Sequence, residues 1–410
     1  MPFAIKAIIT MKQIKNLVSK KILSKLFLLL VFPLCILSCS KKSPLDTILY
    51  SDSEIINKVI SNVEDHEVQI IYSQIHRDEE GNITFEDYQY NVSDSVYFYP
   101  ASTVKLPVAL LALEKLNELQ KQGVPIDLHT HFKTQNDTLY SNLEKEIEKI
   151  FGVSSNLAYN RLFEFLGQDD INKRLAEKNI PGSISHRLSA FFSHNPKTQS
   201  IVFKQHLDDS IPVYVQNTIE NKIPSKLTLQ RTQKGIGYIY NDSLMQKPKD
   251  FSEKNYLPLS SLHGIMKRIH FPELFPENQQ FRLTKSDSEF ITQTMKRTPA
   301  DLGFDKSKYY DAYGKFFMFG DSKKNIPQHI QIHNKVGYAY GYLTDCAYIM
   351  DTKNNVEFLL SATIHVNQNR IFNDDQYEYK EIGIPFLAEL GRQIHDYELN
   401  RKRQRTNIHQ

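Results

Sequence analysis

Cysteine is scarce in this chain, which has only three copies in 410 residues. Cys35 lies inside an apolar N-terminal segment, Cys39 follows directly after it, and Cys346 stands in a strand-like apolar run. Because the first two belong to the N-terminal segment, Cys346 has no partner in the remainder of the chain. We therefore expect no internal disulfide and a buried structural thiol at Cys346.

Neither sign of charge dominates, since the formal net charge is +3. The first 38 residues contain six lysines, no arginine and no acid, so the remainder carries a net charge of −3. A near-neutral chain gives no electrostatic argument for a nucleic-acid partner. The basic run at 401–405 is interpreted as part of a disordered tail, 399–410.

No apolar run is long enough to cross a membrane comfortably, because the longest, residues 26–37, has about a dozen residues. It follows a lysine-rich start and ends in Ile36-Leu37-Ser38-Cys39, which resembles a bacterial lipobox. We predict a signal peptide over 1–38, lipidation of Cys39, and a tether over 39–50. The alternatives are an ordinary signal peptide with an incidental cysteine, or an uncleaved anchor. The expected location is the membrane surface, either periplasmic or at the cell surface.

Strand-like segments fall at both ends of the remaining chain and helical segments in its middle. The predicted strands are 68–75, 83–92, 330–338, 343–350 and 356–366, and a closing helix spans 376–397. This order predicts an α/β (α+β) domain over 51–398, with one antiparallel sheet built from both chain ends, flanking helices and an inserted all-helical lobe. A polar stretch over about 197–256 is interpreted as an insertion, with a hairpin (227–231 and 237–240) projecting from the body.

A serine and a lysine three residues apart, Ser102 and Lys105, precede a leucine-rich helical run. They share one helix face, and the helix start favours developing negative charge. A lysine with a lowered pKa can accept the serine proton, which makes Ser102 a candidate nucleophile. The motif alone is weak, because it recurs at Ser38 and Lys41.

Two further segments accompany the motif in a meaningful order. The first contains Ser154, Ser155 and Asn156, and the second contains Lys335 and Gly337. In isolation, the first is better explained as a helix N-cap and the second as an edge strand before a bend. With Ser102 and Lys105 they resemble the Ser-x-x-Lys, Ser-Asp-Asn and Lys-Thr-Gly signatures of penicillin-recognising serine enzymes. The closest likeness is to class A β-lactamases, over residues 52–397, which implies a β-lactamase/transpeptidase-like fold.

The resemblance implies a role for each matching residue. Ser102 would form an acyl-enzyme, Lys105 would be the base or hold the base in place, and Ser154 would pass a proton to the leaving nitrogen. The backbone N–H groups of Ser102 and Tyr338 would be the oxyanion donors. The residues that would bind substrate are Asn156, Lys335, Gly337 and Tyr338. Asn160 would support the loop below the active site. No cofactor or metal is implied, and His129-Thr130-His131 is interpreted as a polar loop.

Three departures from the family pattern affect these expectations. Ser155 replaces an aspartate that buttresses the loop, and Val336 replaces a hydroxyl that helps to bind the β-lactam carboxylate. The segment 183–195, where class A enzymes carry a glutamate for deacylation, contains no acid. His186 or His194 could replace that base, although surface or capping histidines are commoner.

The function expected first is hydrolysis of a β-lactam amide, and with it antibiotic resistance. The second candidate is a D,D-peptidase or esterase acting on cell-wall peptides or esters, which Val336 and the missing acid favour. The third is a non-catalytic lipoprotein that binds a partner through the cleft or the 197–256 insertion. Tyr338, Tyr340 and Tyr342 alternate along a strand end and could form an aromatic wall beside the site.

Overall fold

The computed structural model describes residues 43–401. The predicted signal peptide, Cys39, and residues 402–410 of the predicted tail lie outside this range. Within residues 43–401, no helix is both long and apolar enough to cross a membrane.

Ten α-helices and thirteen strands are numbered here in chain order among the described residues. The helices are α1 Pro44–Leu49, α2 Glu54–Ile60, α3 Val63–His66, α4 Lys105–Lys121, α5 Leu143–Val153, α6 Asn156–Leu166, α7 Gln168–Glu177, α8 Leu259–His270, α9 Lys285–Lys296 and α10 Ile384–Asn400. The strands are β1 Gln69–Arg77, β2 Ile83–Tyr90, β3 His131–Thr134, β4 Ile201–Lys204, β5 Tyr214–Gln216, β6 Gln233–Lys234, β7 Gly237–Tyr240, β8 Ser243–Met245, β9 Lys249–Asp250, β10 Ile330–Ala339, β11 Tyr342–Asp351, β12 Val356–His365 and β13 Ile371–Phe372.

The central sheet has five strands in the order β10-β11-β12-β1-β2, and every neighbouring pair is antiparallel. The predicted sheet from both chain ends, and with it the fold class, is confirmed. All ten residues of β12 are buried because helices cover both faces of the sheet. On β11, Cys346 and Tyr348 face the core that contains α4 and α8, whereas Ala347 and Ile349 face α10.

The inserted lobe is built around α4, which is buried on all sides over Leu106–Leu113. Helices α5, α6 and α7 pack around it and bury their apolar sides in the same core. The lobe also carries a small sheet of β3, β4 and β5, which the sequence analysis did not predict. The structure therefore adds strands to the lobe that was expected to be all helical.

The predicted tether over 39–50 is wrong for its described part. Residues 44–49 form α1, and Leu45, Ile48 and Leu49 are buried in the core under the sheet. Their spacing of three and four residues places all three side chains on one helix face, which explains why the segment packs.

The 197–256 segment does not project from the body as predicted. Its strand β4 pairs with β3 of the lobe, and Phe203 and Phe251 are both buried. The hairpin consists of β7 and β8 rather than 227–231 with 237–240, and β7 also pairs with β13. The predicted tail is likewise shorter, since α10 continues to Asn400.

The buried position of α1 generates a stability prediction. Leu49→Ala should lower the free energy of unfolding by about 2–5 kcal/mol, because it removes a fully buried side chain and leaves a cavity. Urea unfolding of a chain that begins at residue 40 measures this. Tyr50→Ala is the matched control, because that side chain is 66% exposed and should change stability by about 0.5 kcal/mol or less. Equal effects of the two substitutions would contradict the packing of α1.

Candidate active site

Ser102 lies in a short 3₁₀ turn, Ala101–Val104, that leads directly into α4. The α-helix itself begins at Lys105, so Ser102 stands one turn ahead of it. Ala101 has a φ of 47°, a left-handed conformation that is uncommon for a residue with a Cβ. The Thr103 hydroxyl donates to the Pro100 carbonyl at 2.7 Å and fixes the turn. Ser102 thus lies on a conformationally constrained turn at the N-terminus of a buried helix.

Lys105 is fully buried and its amine is held by the segment after α5. Its Nζ donates to Asn156 Oδ1 at 2.7 Å and to the Ser154 carbonyl, and lies 3.3 Å from Ser154 Oγ. Burial, and secondarily the Lys335 ammonium, lower the pKa of Lys105 to about 6. At neutral pH, Lys105 is therefore mostly the neutral amine that a general base requires.

Ser154 stands between the two lysines of the site. It ends α5 with a left-handed φ of 53°, and its Oγ accepts a hydrogen bond from Lys335 Nζ at 2.9 Å. Burial lowers the pKa of Lys335 to about 7. Ser155 caps α6 by accepting from the Ala158 N–H at 3.2 Å. The N-cap interpretation therefore holds for Ser155, while Ser154 and Asn156 contact Lys105.

Gly337 brings strand β10 against the turn that carries Ser102. A Cβ built on Gly337 would lie 2.7 Å from the Ser102 nitrogen and 2.7 Å from the Pro100 carbonyl oxygen. Only glycine fits this approach, and β10 is the edge strand of the sheet on this side. The backbone after Gly337 is thus adjacent to Ser102, where the predicted oxyanion donors were placed.

Ser102 and Asn156 line a cleft of about 370 Å³. Among the described residues that line it, none is an aspartate or glutamate; the lining consists of Tyr99, Ala101, Ser102, Asn156, His186, Arg187, Leu188, Ser189, Ala190, Ser193, Lys254, Tyr338, Ala339 and Tyr340. Tyr338 and Tyr340 lie on the cleft, but Tyr342 does not. Its buried hydroxyl donates to Glu67 at 2.8 Å instead, so the predicted three-tyrosine wall has two members.

The loop at 183–195 is fastened to α6 by several hydrogen bonds and a buried ion pair. Asn160 donates to the Leu188 carbonyl at 2.9 Å and accepts from its N–H at 2.8 Å. The Arg187 guanidinium donates to both carboxylate oxygens of Glu164, at 2.5 and 3.0 Å. Both side chains of this ion pair are buried, so it holds the loop with two parallel hydrogen bonds.

His186 lines the cleft but is a weak base. Its Nδ1 lies 2.6 Å from the Arg187 carbonyl oxygen, an arrangement in which Nδ1–H donates and Nε2 keeps its lone pair. Burial lowers the pKa of His186 to about 3, so the ring stays neutral. His194 lies next to it, with ring centroids 4.7 Å apart.

Ser102 and Asn156 line the cleft, and hydrogen bonds join Asn156 to Lys105, Lys105 to Ser154 and Ser154 to Lys335; the catalytic roles of these residues stay predictions. Cys346 is buried, and its Sγ contacts the Lys335 carbonyl at 3.4 Å. His129 contacts Glu144 at 3.2 Å on an exposed part of the lobe. Sequence reasoning missed three residues of the site: Glu164, Arg187 and Lys254. Only the apolar surroundings of Glu164 in the sequence gave a signal, since an acid in an apolar helix suggests a buried partner.

Comparison with protein families agrees with the resemblance seen in the sequence motifs. Residues 53–207 match the family model Beta-lactamase2, described as a beta-lactamase enzyme family. The match covers less than half of the chain and includes Ser102, Lys105, Ser154 and Asn156. It confirms the predicted resemblance to the serine β-lactamase and penicillin-binding superfamily, and it supports a serine hydrolase with β-lactamase-like activity. No curated protein matches the chain.

Several solved structures are similar at low sequence identity. A β-lactamase from Sphaerobacter thermophilus DSM 20745 is 12% identical, with a TM-score of 0.45 over 82% of this chain and 92% of that one. A β-lactamase from Desulfarculus baarsii DSM 2075 is 12% identical, with a TM-score of 0.46 over 83% and 94%. A point mutant of PBP-A, in an acyl-enzyme complex with penicillin G, is 13% identical, with a TM-score of 0.45 over 83% and 93%.

The buried ion pair between Glu164 and Arg187 generates a prediction about the loop. Glu164→Gln should lower the free energy of unfolding by about 3 kcal/mol, because it leaves a buried guanidinium without its counter-charge. Hydrogen exchange of residues 183–197 should accelerate, since Arg187 also donates to the carbonyls of Asn195 and Lys197. Glu177→Gln, which alters an exposed pair with Lys173, is the control and should leave both quantities nearly unchanged. Unaltered exchange in the loop of Glu164→Gln would show that the pair does not hold it.

Proposed function

We propose that this protein is a class A-like serine hydrolase that forms an acyl-enzyme on Ser102 and cleaves the amide of a β-lactam. The observation that carries the proposal is the buried amine of Lys105, with a pKa of about 6 and hydrogen bonds to Ser154 and Asn156. β-Lactam hydrolysis would give antibiotic resistance. We further propose that a lipid on Cys39 anchors the enzyme to a membrane, in the periplasm or at the cell surface.

Acylation follows from the hydrogen bonds around Lys105. A neutral amine has two N–H groups and one lone pair, and the Ser154 carbonyl and Asn156 Oδ1 take the two N–H groups. The lone pair can then accept the Ser102 proton while Ser102 Oγ attacks the carbonyl carbon. The backbone N–H groups of Ser102 and Tyr338 are the proposed donors to the oxyanion that forms.

Release of the leaving nitrogen requires that the proton taken by Lys105 be returned. Ser154 Oγ lies 3.3 Å from Lys105 Nζ and 2.9 Å from Lys335 Nζ, so it can receive one proton while passing another to the nitrogen. The carbon–nitrogen bond breaks, and Ser102 remains as an ester. The Lys335 ammonium would hold the carboxylate on the leaving side of the substrate.

For deacylation, the described lining of the cleft provides no evident general base. No carboxylate is present among the described residues that line it, and His186 has a pKa of about 3. The neutral Lys105 is the remaining base for the hydrolytic water, so we expect the acyl-enzyme to persist. This expectation, with Val336, favours the second candidate, a D,D-peptidase or esterase. A non-catalytic lipoprotein is the third, and the intact network of Lys105, Ser154 and Lys335 argues against it.

Intact-protein mass spectrometry over time tests the proposal. Residues 40–410 mixed with benzylpenicillin should gain the mass of one penicillin and lose it slowly, and Ser102→Ala should gain nothing. Rapid clearance with consumption of the drug would establish efficient β-lactam hydrolysis, and a stable adduct would favour a penicillin-binding peptidase or a deacylation-deficient relative. The absence of an adduct on the unaltered protein would refute acylation by penicillin.

The pH dependence of acylation should be bell-shaped. The rate should rise with pH through about 6, where Lys105 loses its proton, and fall above about 7, where Lys335 loses the charge that binds the substrate carboxylate. The measurement is kcat/KM, or the second-order acylation rate, between pH 5 and about 9. The two lysines are close enough that the apparent values describe the pair.

The variant Lys335→Met distinguishes the acid limb of this pH profile, which Lys105 sets, from the basic limb, which Lys335 sets. It removes a positive charge near Lys105, so the pKa of Lys105 should rise and the acid limb should move to higher pH. The basic limb should disappear. Lys353→Met, in the exposed turn between β11 and β12, is the control and should keep the original profile. An acid limb that does not move in Lys335→Met would show that the two amines are not coupled.

A further inference from the structure

Lys254 comes from the 197–256 segment and lines the same cleft as Ser102. Among residues 43–401, no carboxylate lies within 4.0 Å of its ammonium group. The adjacent Glu253 pairs with Lys226 at 3.1 Å, with both side chains mostly exposed. Lys254 is thus a partly buried cleft residue without an ion pair, and the charge of Glu253 offsets only part of the lowering of its pKa by burial.

The backbone around Lys254 is held in place from both sides. Its N–H donates to the Phe251 carbonyl at 2.9 Å. Asn255 Oδ1 accepts from the N–H groups of Ser185 and His186, at 2.8 and 3.1 Å. The Tyr97 hydroxyl, from the chain just before Ser102, donates to the Asn255 carbonyl at 3.1 Å. These hydrogen bonds join the backbone at Lys254 and Asn255 to the 183–195 loop and to the segment before Ser102. The backbone position of Lys254 beside the cleft is therefore fixed.

A second lysine of the same segment increases the positive charge at this end of the cleft. Lys249 Nζ lies over the rings of Tyr238, Tyr340 and Phe251 at 4.9, 5.3 and 5.9 Å. Burial lowers the pKa of both lysines, and Lys254 lowers that of Lys249 further. The two ammonium groups repel each other, and the described lining of the cleft contains no carboxylate. A bound anion would reduce this repulsion.

His186 does not compete for that anion. Its ring is neutral, and with Nδ1–H donated to the Arg187 carbonyl, the buried Nε2 offers only a lone pair. An acceptor of this kind suits a substrate N–H or a bound water. Arg187, the other basic side chain of the described lining apart from the histidine, is paired with Glu164, so Lys254 is the cation left to meet an anionic ligand.

We propose that Lys254 binds a second anionic group of the substrate, on the acyl side of the bond that Ser102 cleaves. This inference rests on the proposed function, in which Lys335 takes the carboxylate on the leaving side. Lys254 lines the cleft together with Asn156 and the 186–193 loop, whereas Lys335 is buried beside Ser154 and is not among the described residues of that lining. The favoured substrates are therefore acyl compounds with a carboxylate at each end.

Two penicillins that differ by one carboxylate test the proposal. Benzylpenicillin has an uncharged phenylacetyl side chain, and its α-carboxy derivative carries one further carboxylate there. The unaltered protein should be acylated about tenfold faster by the derivative, as measured by quenched mass spectrometry. Lys254→Met should abolish this preference and Lys254→Arg should keep it. Lys247→Met, an exposed lysine of the same segment, should also keep it. A preference that survives in Lys254→Met, or is absent from the unaltered protein, would overturn the proposal.

Binding without chemistry separates this proposal from the proposed function. Calorimetric titration of Ser102→Ala with both penicillins should show the same tenfold preference, and Ser102→Ala combined with Lys254→Met should show none. If the unaltered protein forms no adduct but Ser102→Ala prefers the dianion, the acyl-enzyme proposal fails and the anion subsite stands. If Ser102→Ala binds both compounds equally, or binds neither, the subsite is refuted.

Discussion

Two lysine amines buried side by side are the constraint on which the rest of the site depends. Burial lowers the pKa of each amine, and the Lys335 ammonium lowers that of Lys105 further. Such an arrangement is costly unless polar partners satisfy the amines. Those partners are Ser154 and Asn156, at the junction of α5 and α6. The junction therefore has to be rigid, and the left-handed conformation of Ser154 with the cap on Ser155 provides that rigidity.

The second requirement is that three separate parts of the chain meet at one turn. Gly337 allows β10 to approach the backbone of Ser102, and the 183–195 loop closes the opposite side through Arg187 and Asn160. The polar segment after the loop completes the wall with Lys254. The cleft is consequently rich in positive charge, and acidic groups such as Glu164 lie behind its surface, where they neutralise cations of the wall.

The parts of this arrangement that could be predicted from the sequence are those with local signatures. The five sheet strands are periodic and apolar, and the three motifs combine a reactive residue with a fixed spacing. The ion pair of Glu164 and Arg187 has no such signature, because each charge on its own resembles a solvated side chain. Lys254 lies in a polar stretch without periodicity, and its place is set by Asn255 and Tyr97. Helix α1 has only six residues, and an apolar spacing over so short a segment does not distinguish a packed helix from a tether.

The pairing of β1 with β12 has a consequence for how the protein folds. His66, just before β1, contacts the carbonyl of His365 at the end of β12, a separation of 299 residues along the chain. Lys335 contacts Ser154 from β10, an edge strand that joins the central sheet by pairing with β11. During synthesis, Ser102 and its helix are complete long before this half of the site exists. We expect slow, late assembly of the active site, because long-range strand pairing must precede it.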